Sequence, residues 1–390
     1  MLLYVHVPFC RCKCRYCAFV SEPLGADGGE RMQSYVATLL EELHFWHERL
    51  QRESCPPGIE TIFWGGGTPS LLEPEQVRQV LDEVHALFDV AGDAEISMEA
   101  NPDSLHAQER VRAFLAAGIN RISLGVQTLD DGQLKALGRV HCAEEARQAV
   151  QAIREAGCTN LNIDLMWGLP GQTPEQWRSM LKAALDLSPE HVSAYGLMLE
   201  PGTPMAEQPG MLPSEDQLAS MFTDCVGILG KNGLEQYEIS NFARVGYRCR
   251  HNLGYWEGKD YLGLGPAATS TIRQLRWTNR STLESWREQV RRQEISPDRE
   301  HLDAVIVTLE TMMLRLRTVE GLPLNLYAEW TGRNFLEDHG PFVEELLRHD
   351  LARLVEKEGE SRLSLTVRGM LLSNSILETL FEETHRLLDC

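Results

Sequence analysis

Up to about residue 200, short strand-like runs alternate with amphipathic helices, six times over. Strands separated by helices pair in parallel, so this alternation limits the possible folds more than any other feature. Leu2 to Val7 is the first expected strand and Ile59 to Trp64 the second. Others are expected near 95–99, 121–126, 160–166 and 191–198. Val36, Leu39, Leu40, Leu43, Trp46 and Leu50 fall at helical spacing, as do Val77, Val80, Leu81, Val84, Leu87 and Phe88. Further helices are expected near 107–117, 143–156 and 174–186. Right-handed crossovers favour a partial or full barrel over an open sheet. The fold class is therefore read as α/β, a partial (β/α)6 TIM-like barrel.

Polar residues gather where these strands end. A cysteine-rich loop follows the first strand, and Gly65-Gly66-Gly67-Thr68-Pro69 follows the second. Glu99 ends the third, Gln127 follows the fourth, Asp164 lies late in the fifth and Tyr195 late in the sixth. In a parallel barrel all of them share the C-terminal rim, where active sites are built.

The loop after the first strand carries Cys10, Cys14 and Cys17 in a C-x3-C-x2-C spacing. A four-iron, four-sulfur (4Fe-4S) cluster normally takes four thiolates. Three thiolates leave one iron open to a small ligand, and S-adenosylmethionine (SAM) is the cofactor whose amino and carboxylate groups chelate such an iron. Zinc on four thiolates is the rival reading, because Cys12 also lies in the loop. Cys10-x-Cys12-x-Cys14 is too tight for a relaxed tetrahedron, so Cys12 is read as a bystander. Unligated cytosolic thiols are the other alternative.

Composition narrows the function classes. A formal net charge of −20 repels a phosphate backbone, so no nucleic-acid partner is expected. No run of eighteen apolar residues exists, and no transmembrane segment is expected. The ten cysteines form no regular disulfide framework, and a labile cluster needs reducing surroundings. The expected location is the cytoplasm.

Beyond residue 200 the alternation loosens. Gln236 to Phe242 reads as one more strand, and Gly263-Leu264-Gly265-Pro266 as a tight turn. Val305, Leu309, Met312, Met313 and Leu316 mark a helix. Leu351 to Glu356 and Arg362 to Leu365 read as a hairpin across Gly359, and Thr366 as the N-cap of a last helix through Leu380. This gives a smaller helical, winged-helix-like C-terminal domain, read as a lid or docking element. The expected division is 1–240 for the barrel, 241–300 for a connecting segment and 301–390 for the C-terminal domain.

On the rim, the glycine turn lacks the lysine and Ser/Thr of a phosphate loop. Its carbonyls and Thr68 suit the ammonium of SAM. Glu99 suits two ribose hydroxyls, and Gln127 offers both a donor and an acceptor. Arg139 can clamp a carboxylate, and Asp164 is a further acceptor. Each is otherwise a member of a buried polar network. His251-Asn252-x-x-Tyr255-Trp256 is the remaining unusual cluster. His251 is a metal or haem-iron ligand on one reading, with Tyr255 and Trp256 as a wall for a flat macrocycle. On the other it belongs to a surface turn. Cys249 is an alternative thiolate.

Together these residues resemble the coproporphyrinogen-oxidase-like branch of the radical SAM superfamily, especially its haem chaperones. The resemblance runs from Tyr4-Val5-His6-Val7-Pro8-Phe9-Cys10 through Trp64 to Ser70 and Asn162 to Pro170. It continues in Tyr237 to Phe242 and ends at His251-Asn252-Leu253-Gly254-Tyr255-Trp256. It implies a radical SAM barrel with Cys10, Cys14 and Cys17 as cluster ligands. It also implies SAM contacts at Tyr4, Tyr16, Gly66, Gly67, Thr68, Glu99, Gln127, Arg139 and Asp164. The HNxxYW signature implies haem contacts at His251, Asn252, Tyr255 and Trp256. Client haem proteins, among them respiratory ones, are the implied partners, and the chain is expected as a monomer or homodimer. The alternative is an oxygen-independent coproporphyrinogen III oxidase, which carries a fourth cysteine two residues after the third. Here that position is Phe19. Two departures from the chaperones remain. Cys17-Ala18-Phe19 stands where they show Cys-Asp-Phe, and Thr269 stands where they carry a histidine.

Overall fold

The computed structural model describes residues 1–25, 27–52 and 58–388. Six parallel strands form its centre: β1 (Leu2–Val7), β2 (Ile59–Gly66), β3 (Val90–Ala100), β4 (Arg121–Gln127), β5 (Leu161–Trp167) and β6 (His191–Gly196). They lie side by side in chain order, so every strand–helix–strand crossover moves on by one strand in the same direction.

Period-2 alternation splits each strand into two faces. Leu3, Val5, Val7, Ile62, Trp64, Ile96, Met98, Ile122, Leu124, Ile163, Leu165 and Val192 belong to the main apolar core. The helices Gly28–Arg52, Pro74–Leu87, Ala143–Glu155 and Pro174–Leu185 add their apolar stripes to it. Tyr4, Phe63, Glu99, Arg121, Ser123, Asn162, Asp164 and Ser193 occupy the alternate positions and line a central cavity. The barrel interior is therefore polar.

Residues 241–300, expected as a connecting segment, add strands to this same sheet. After β7 (Glu235–Gln236) and β8 (Asn241–Ala243) come β9 (Tyr261–Leu264), β10 (Thr269–Ile272), β11 (Leu275–Thr278) and β12 (Arg299–His301). The sheet order is β12-β11-β10-β9-β1-β2-β3-β4-β5-β6-β8-β7. β9 runs parallel beside β1, with Leu2 opposite Tyr261. The end strands β7 and β12 do not pair, so the barrel stays partial. The expected strand from Gln236 to Phe242 is instead the β7–β8 hairpin, because the chain reverses between Tyr237 and Ser240. Gly263 and Leu264, expected in a turn, lie inside β9, and the bend falls at Gly265 with φ +96°.

The C-terminal region has its own core around Leu316, Tyr327, Leu363 and Leu380. Its order is helix Ala304–Arg315, β13 (Leu322–Pro323), helices Leu324–Thr331 and Phe335–Arg348, then the hairpin β14 (Ala352–Lys357) and β15 (Glu360–Leu365). Helix, strand, two helices and hairpin is the winged-helix order. The hairpin turns through Glu358 and Gly359, both at positive φ, the geometry of a two-residue type I′ turn. Thr366 caps a short helix, Val367–Leu371, and a separate helix Ser373–Leu388 follows. The single last helix expected from Thr366 is thus broken at Leu372.

Candidate functional site

The glycine turn after β2 is bonded to the chain entering the cysteine loop. Gly67 N–H donates to Val7 O at 2.8 Å and Thr68 N–H to Phe9 O at 2.7 Å. No side chain fits between them: a Cβ on Gly67 would lie 2.5 Å from Phe9 O, and one on Gly66 would lie 2.5 Å from the His6 ring. Gly66 also has φ +105°, open to glycine. Gly67→Ala is expected to push the turn off the loop and lower cluster incorporation at least about threefold, a loss of roughly 0.7 kcal/mol or more in site stability. Iron analysis after reconstitution, with unchanged far-ultraviolet dichroism, checks this.

The cysteine loop is held on both sides. Leu24 N–H donates to Cys10 O at 2.9 Å, Arg15 N–H to Leu137 O at 3.0 Å, and Met205 N–H to Arg15 O at 2.9 Å. Donors point at two of its sulfurs: Thr68 Oγ1 at Cys10 Sγ, 3.7 Å, and Arg139 Nη1 at Cys14 Sγ, 3.6 Å. Cys17 lies close enough to Cys14 and Cys10 to feel their charge. Burial pushes the Cys10 and Cys17 thiols up, so binding metal as thiolates releases protons. Cys12 is exposed, and its thiol reaches the Lys13 carbonyl alone, at 3.8 Å. Among the described residues no three His, Cys, Asp or Glu side chains converge on one point, as ligands of a single ion do. A 4Fe-4S cluster takes its thiolates on separate irons, and three spaced thiols, two of them with donors on their sulfurs, fit that group.

Around this loop stand the residues expected to hold SAM. Thr68 is buried and accepts from Asn101 Nδ2 at 3.0 Å. Asn101 Oδ1 in turn accepts from Arg139 Nη2 at 2.7 Å, and the same nitrogen donates to Gly125 O at 2.6 Å. Arg139, read from sequence as a carboxylate clamp or a member of a buried polar network, braces the loop in this structure. Its partners account for this, because Cys14, Asn101 and Gly125 take up its fork. Asn101, two residues after Glu99, is a member of this network that the sequence reading did not name. Gln127 adopts φ +65°, a strained conformation for a non-glycine residue, and its Oε1 accepts from Tyr195 Oη at 2.6 Å. Tyr4 Oη meets His6 Nδ1 at 3.2 Å, and His6 Nε2 meets Val20 O at 2.8 Å. Tyr16 is half-buried beside Arg139 and Cys14, and burial pushes its phenol up.

The two acids sit deeper. Glu99 Oε2 accepts from Gly66 N–H at 3.1 Å. Burial, then the Asp164 charge, push its carboxyl up to about 8. Asp164 accepts from Asn162 Nδ2 at 2.6 Å and Ser123 Oγ at 3.3 Å, and burial raises it too. A raised acid holds more protons folded than unfolded between its two pKa values. Its contribution to stability therefore falls as pH rises from about 4.5 towards 8. Without SAM, Glu99→Gln is expected to melt progressively higher than wild type across that range. SAM affinity is expected to fall about tenfold, as on losing a charge-assisted bond. Melts at several pH values, with and without SAM, check both.

His251-Asn252-x-x-Tyr255-Trp256 does not lie on the cysteine rim. It forms the short helix Arg250–Trp256, which packs against the opposite end of the barrel. His251 Nδ1 shares a hydrogen bond of 2.7 Å with Thr61 Oγ1. Thr61 lies five residues before Gly66 on β2, about 16 Å along the strand. Glu95, opposite Thr61 on β3, accepts from Arg250 N–H at 3.0 Å and His251 N–H at 3.2 Å. The surface-turn reading is thus corrected, because His251 is 1% exposed. Its ring stacks on Phe63 at 5.0 Å and meets Tyr255 edge-on at 4.9 Å. Burial keeps it neutral, with its pKa lowered to about 3. Asn252 and Tyr255 line the central cavity beside it, while Trp256 is half-buried. Cys249 is buried with its thiol on Glu95 Oε1 at 3.4 Å, and burial pushes it up to about 12.

A parallel partial barrel with three clustered cysteines at its rim is the architecture of radical SAM proteins. Residues 4–184 match the Radical SAM superfamily model, and residues 307–372 match the HemN C-terminal domain model. The chain is 36% identical over 390 residues to Heme chaperone HemW of Escherichia coli, covering 98% of each. It is 34% identical over 382 residues to Heme chaperone HemW of Haemophilus influenzae, again covering 98% of each. Its fold matches the solved radical SAM enzyme coproporphyrinogen III oxidase (HemN) of Escherichia coli with a TM-score of 0.79 at 24% identity, over 97% of this chain and 89% of that one. The chain belongs to the radical SAM superfamily and, within it, to the family of the HemW proteins.

Membership brings a 4Fe-4S cluster and SAM, which supply one-electron chemistry when bound. Among the described residues no helix is long and apolar enough to cross a membrane.

Proposed function

We propose that this protein is a haem chaperone, which binds haem and transfers it to client haem proteins from a radical SAM scaffold. The observation that carries this reading is full-length likeness to proteins named heme chaperones, with the HNxxYW run retained. Cys10, Cys14 and Cys17 hold the cluster. Tyr4, Tyr16, Gly66, Gly67, Thr68, Glu99, Gln127, Arg139 and Asp164 form the SAM side. His251, Asn252, Tyr255 and Trp256 form the haem side. The central cavity of about 160 Å3 is smaller than the roughly 300 Å3 of the smallest drug-sized pockets. Haem therefore docks outside it, against the helix Arg250–Trp256. Respiratory haem proteins are the proposed clients, the cytoplasm the location, and a monomer or homodimer the working form.

The rival is a coproporphyrinogen III oxidase. Against it stands Phe19, 68% exposed where that enzyme carries its fourth cysteine. Protein with an intact reduced cluster, given SAM and coproporphyrinogen III, is expected to yield no multiple-turnover protoporphyrinogen IX. Multiple turnover would make it an oxidase.

A further inference from the structure

Barrel interiors are ordinarily filled with layers of Val, Ile and Leu. Here a cavity of about 160 Å3 lies among polar side chains. Most of them satisfy one another. Asn162 Nδ2 donates to Ser123 Oγ at 2.7 Å and to Asp164 Oδ1 at 2.6 Å, and Ser193 Oγ donates to Asn162 Oδ1 at 3.2 Å. Two members are left over, and both are donors or potential donors.

The first is Arg121, which opens β4 opposite Ser97, two residues below Glu99. It is 2% exposed, and its Nε has no hydrogen-bond partner. Glu95 and Asp164 act on it through their charge, but among the described residues neither closes an ion pair with it. An arginine cannot shed its proton to escape this position. The second is His251 Nε2, also buried and without a partner. In the tautomer in which the Thr61 hydroxyl donates to Nδ1, Nε2 carries the proton and donates.

We propose that this cavity is a binding site for the carboxylate of a small organic acid, held by the Arg121 guanidinium and His251 Nε2–H. A planar fork matches a planar carboxylate. The resident acids spend their hydrogen bonds elsewhere: Asp164 on Asn162 and Ser123, Glu99 on Gly66, and Glu95 on Arg250 N–H, His251 N–H, Cys249 and Ser97. The acid is either free or the propionate arm of a porphyrin.

The test uses cluster-loaded protein and carbon-13-labelled acetate, followed by NMR, with chloride at equal ionic strength as control. Wild type is expected to bind acetate saturably and to melt higher with it, but not with chloride. Arg121→Met is expected to bind acetate about 10- to 100-fold more weakly. Arg121→Lys keeps the charge, loses the fork, and is expected to weaken binding about tenfold. Haem displacing acetate, with haem dimethyl ester unable to, identifies a propionate arm; joint binding identifies a free acid. No saturable acetate binding, or equal binding in wild type and both variants, overturns the proposal.

Discussion

Replacing any one of Cys10, Cys14 or Cys17 by alanine is expected to remove nearly all bound iron, whereas Cys12→Ala retains about four irons per chain. The difference follows from position. Cys10 ends a two-residue bridge to Glu22–Pro23, and its sulfur faces Thr68. Cys14 faces Arg139. Cys17 N–H donates to Cys14 O at 3.3 Å, which closes the turn carrying both. The open iron is already one protein ligand short, so a two-thiolate site has little left to hold the cluster. Cys12 is exposed, outside this set. Iron and sulfide analysis after anaerobic reconstitution reads the outcome. Equal iron loss in Cys12→Ala would mean that the fourth thiol also ligates.

Glu95→Ala is expected to cost about 3–5 kcal/mol, since it leaves several buried donors without their acceptor. That corresponds to a drop of roughly 5 °C in melting temperature for a chain of this length. Glu95 is buried beneath the helix Arg250–Trp256. It accepts from Arg250 N–H, His251 N–H, Cys249 Sγ and Ser97 Oγ. It is also one of the charges offsetting Arg121. Alanine leaves the helix's first N–H groups unpaired and Arg121 less compensated. The neighbouring Arg250–Asp93 pair, 3.2 Å apart and exposed, is a control. Asp93→Ala is expected to shift the melt by less than about 1 kcal/mol. Similar melts for both variants would show that the helix is held by other contacts.

Much of this site can be read in the sequence because its parts sit at strand ends. The six strands follow from apolar periodicity. Once they are parallel, the cysteine loop, Gly66, Gly67, Glu99, Gln127 and Asp164 must share one rim. The opposite end is harder to read. His251 is held through Thr61 and Glu95, which lie 190 and 156 residues away in sequence. No local pattern marks Glu95 or Arg121 as partners of that helix. Their one signal was period-2 placement, Glu95, Ser97 and Glu99 on β3 and Arg121, Ser123 and Gln127 on β4, which assigns polar side chains to the interior. Tyr261 to Leu264 was missed as a barrel strand because β9 is four residues long and pairs with the first strand of the chain. The break at Leu372 carries no proline or glycine to mark it.

Haem delivery is the most direct test of the proposed function. Cluster-loaded protein is mixed with stoichiometric haem, freed of excess, and presented to a haem-free client protein across a range of client concentrations. The expected result is transfer: the chaperone's haem absorbance falls as client absorbance and activity rise, faster than from free haem. Failure to retain haem through removal of the excess, or client loading no faster than from haem alone, would contradict a chaperone role.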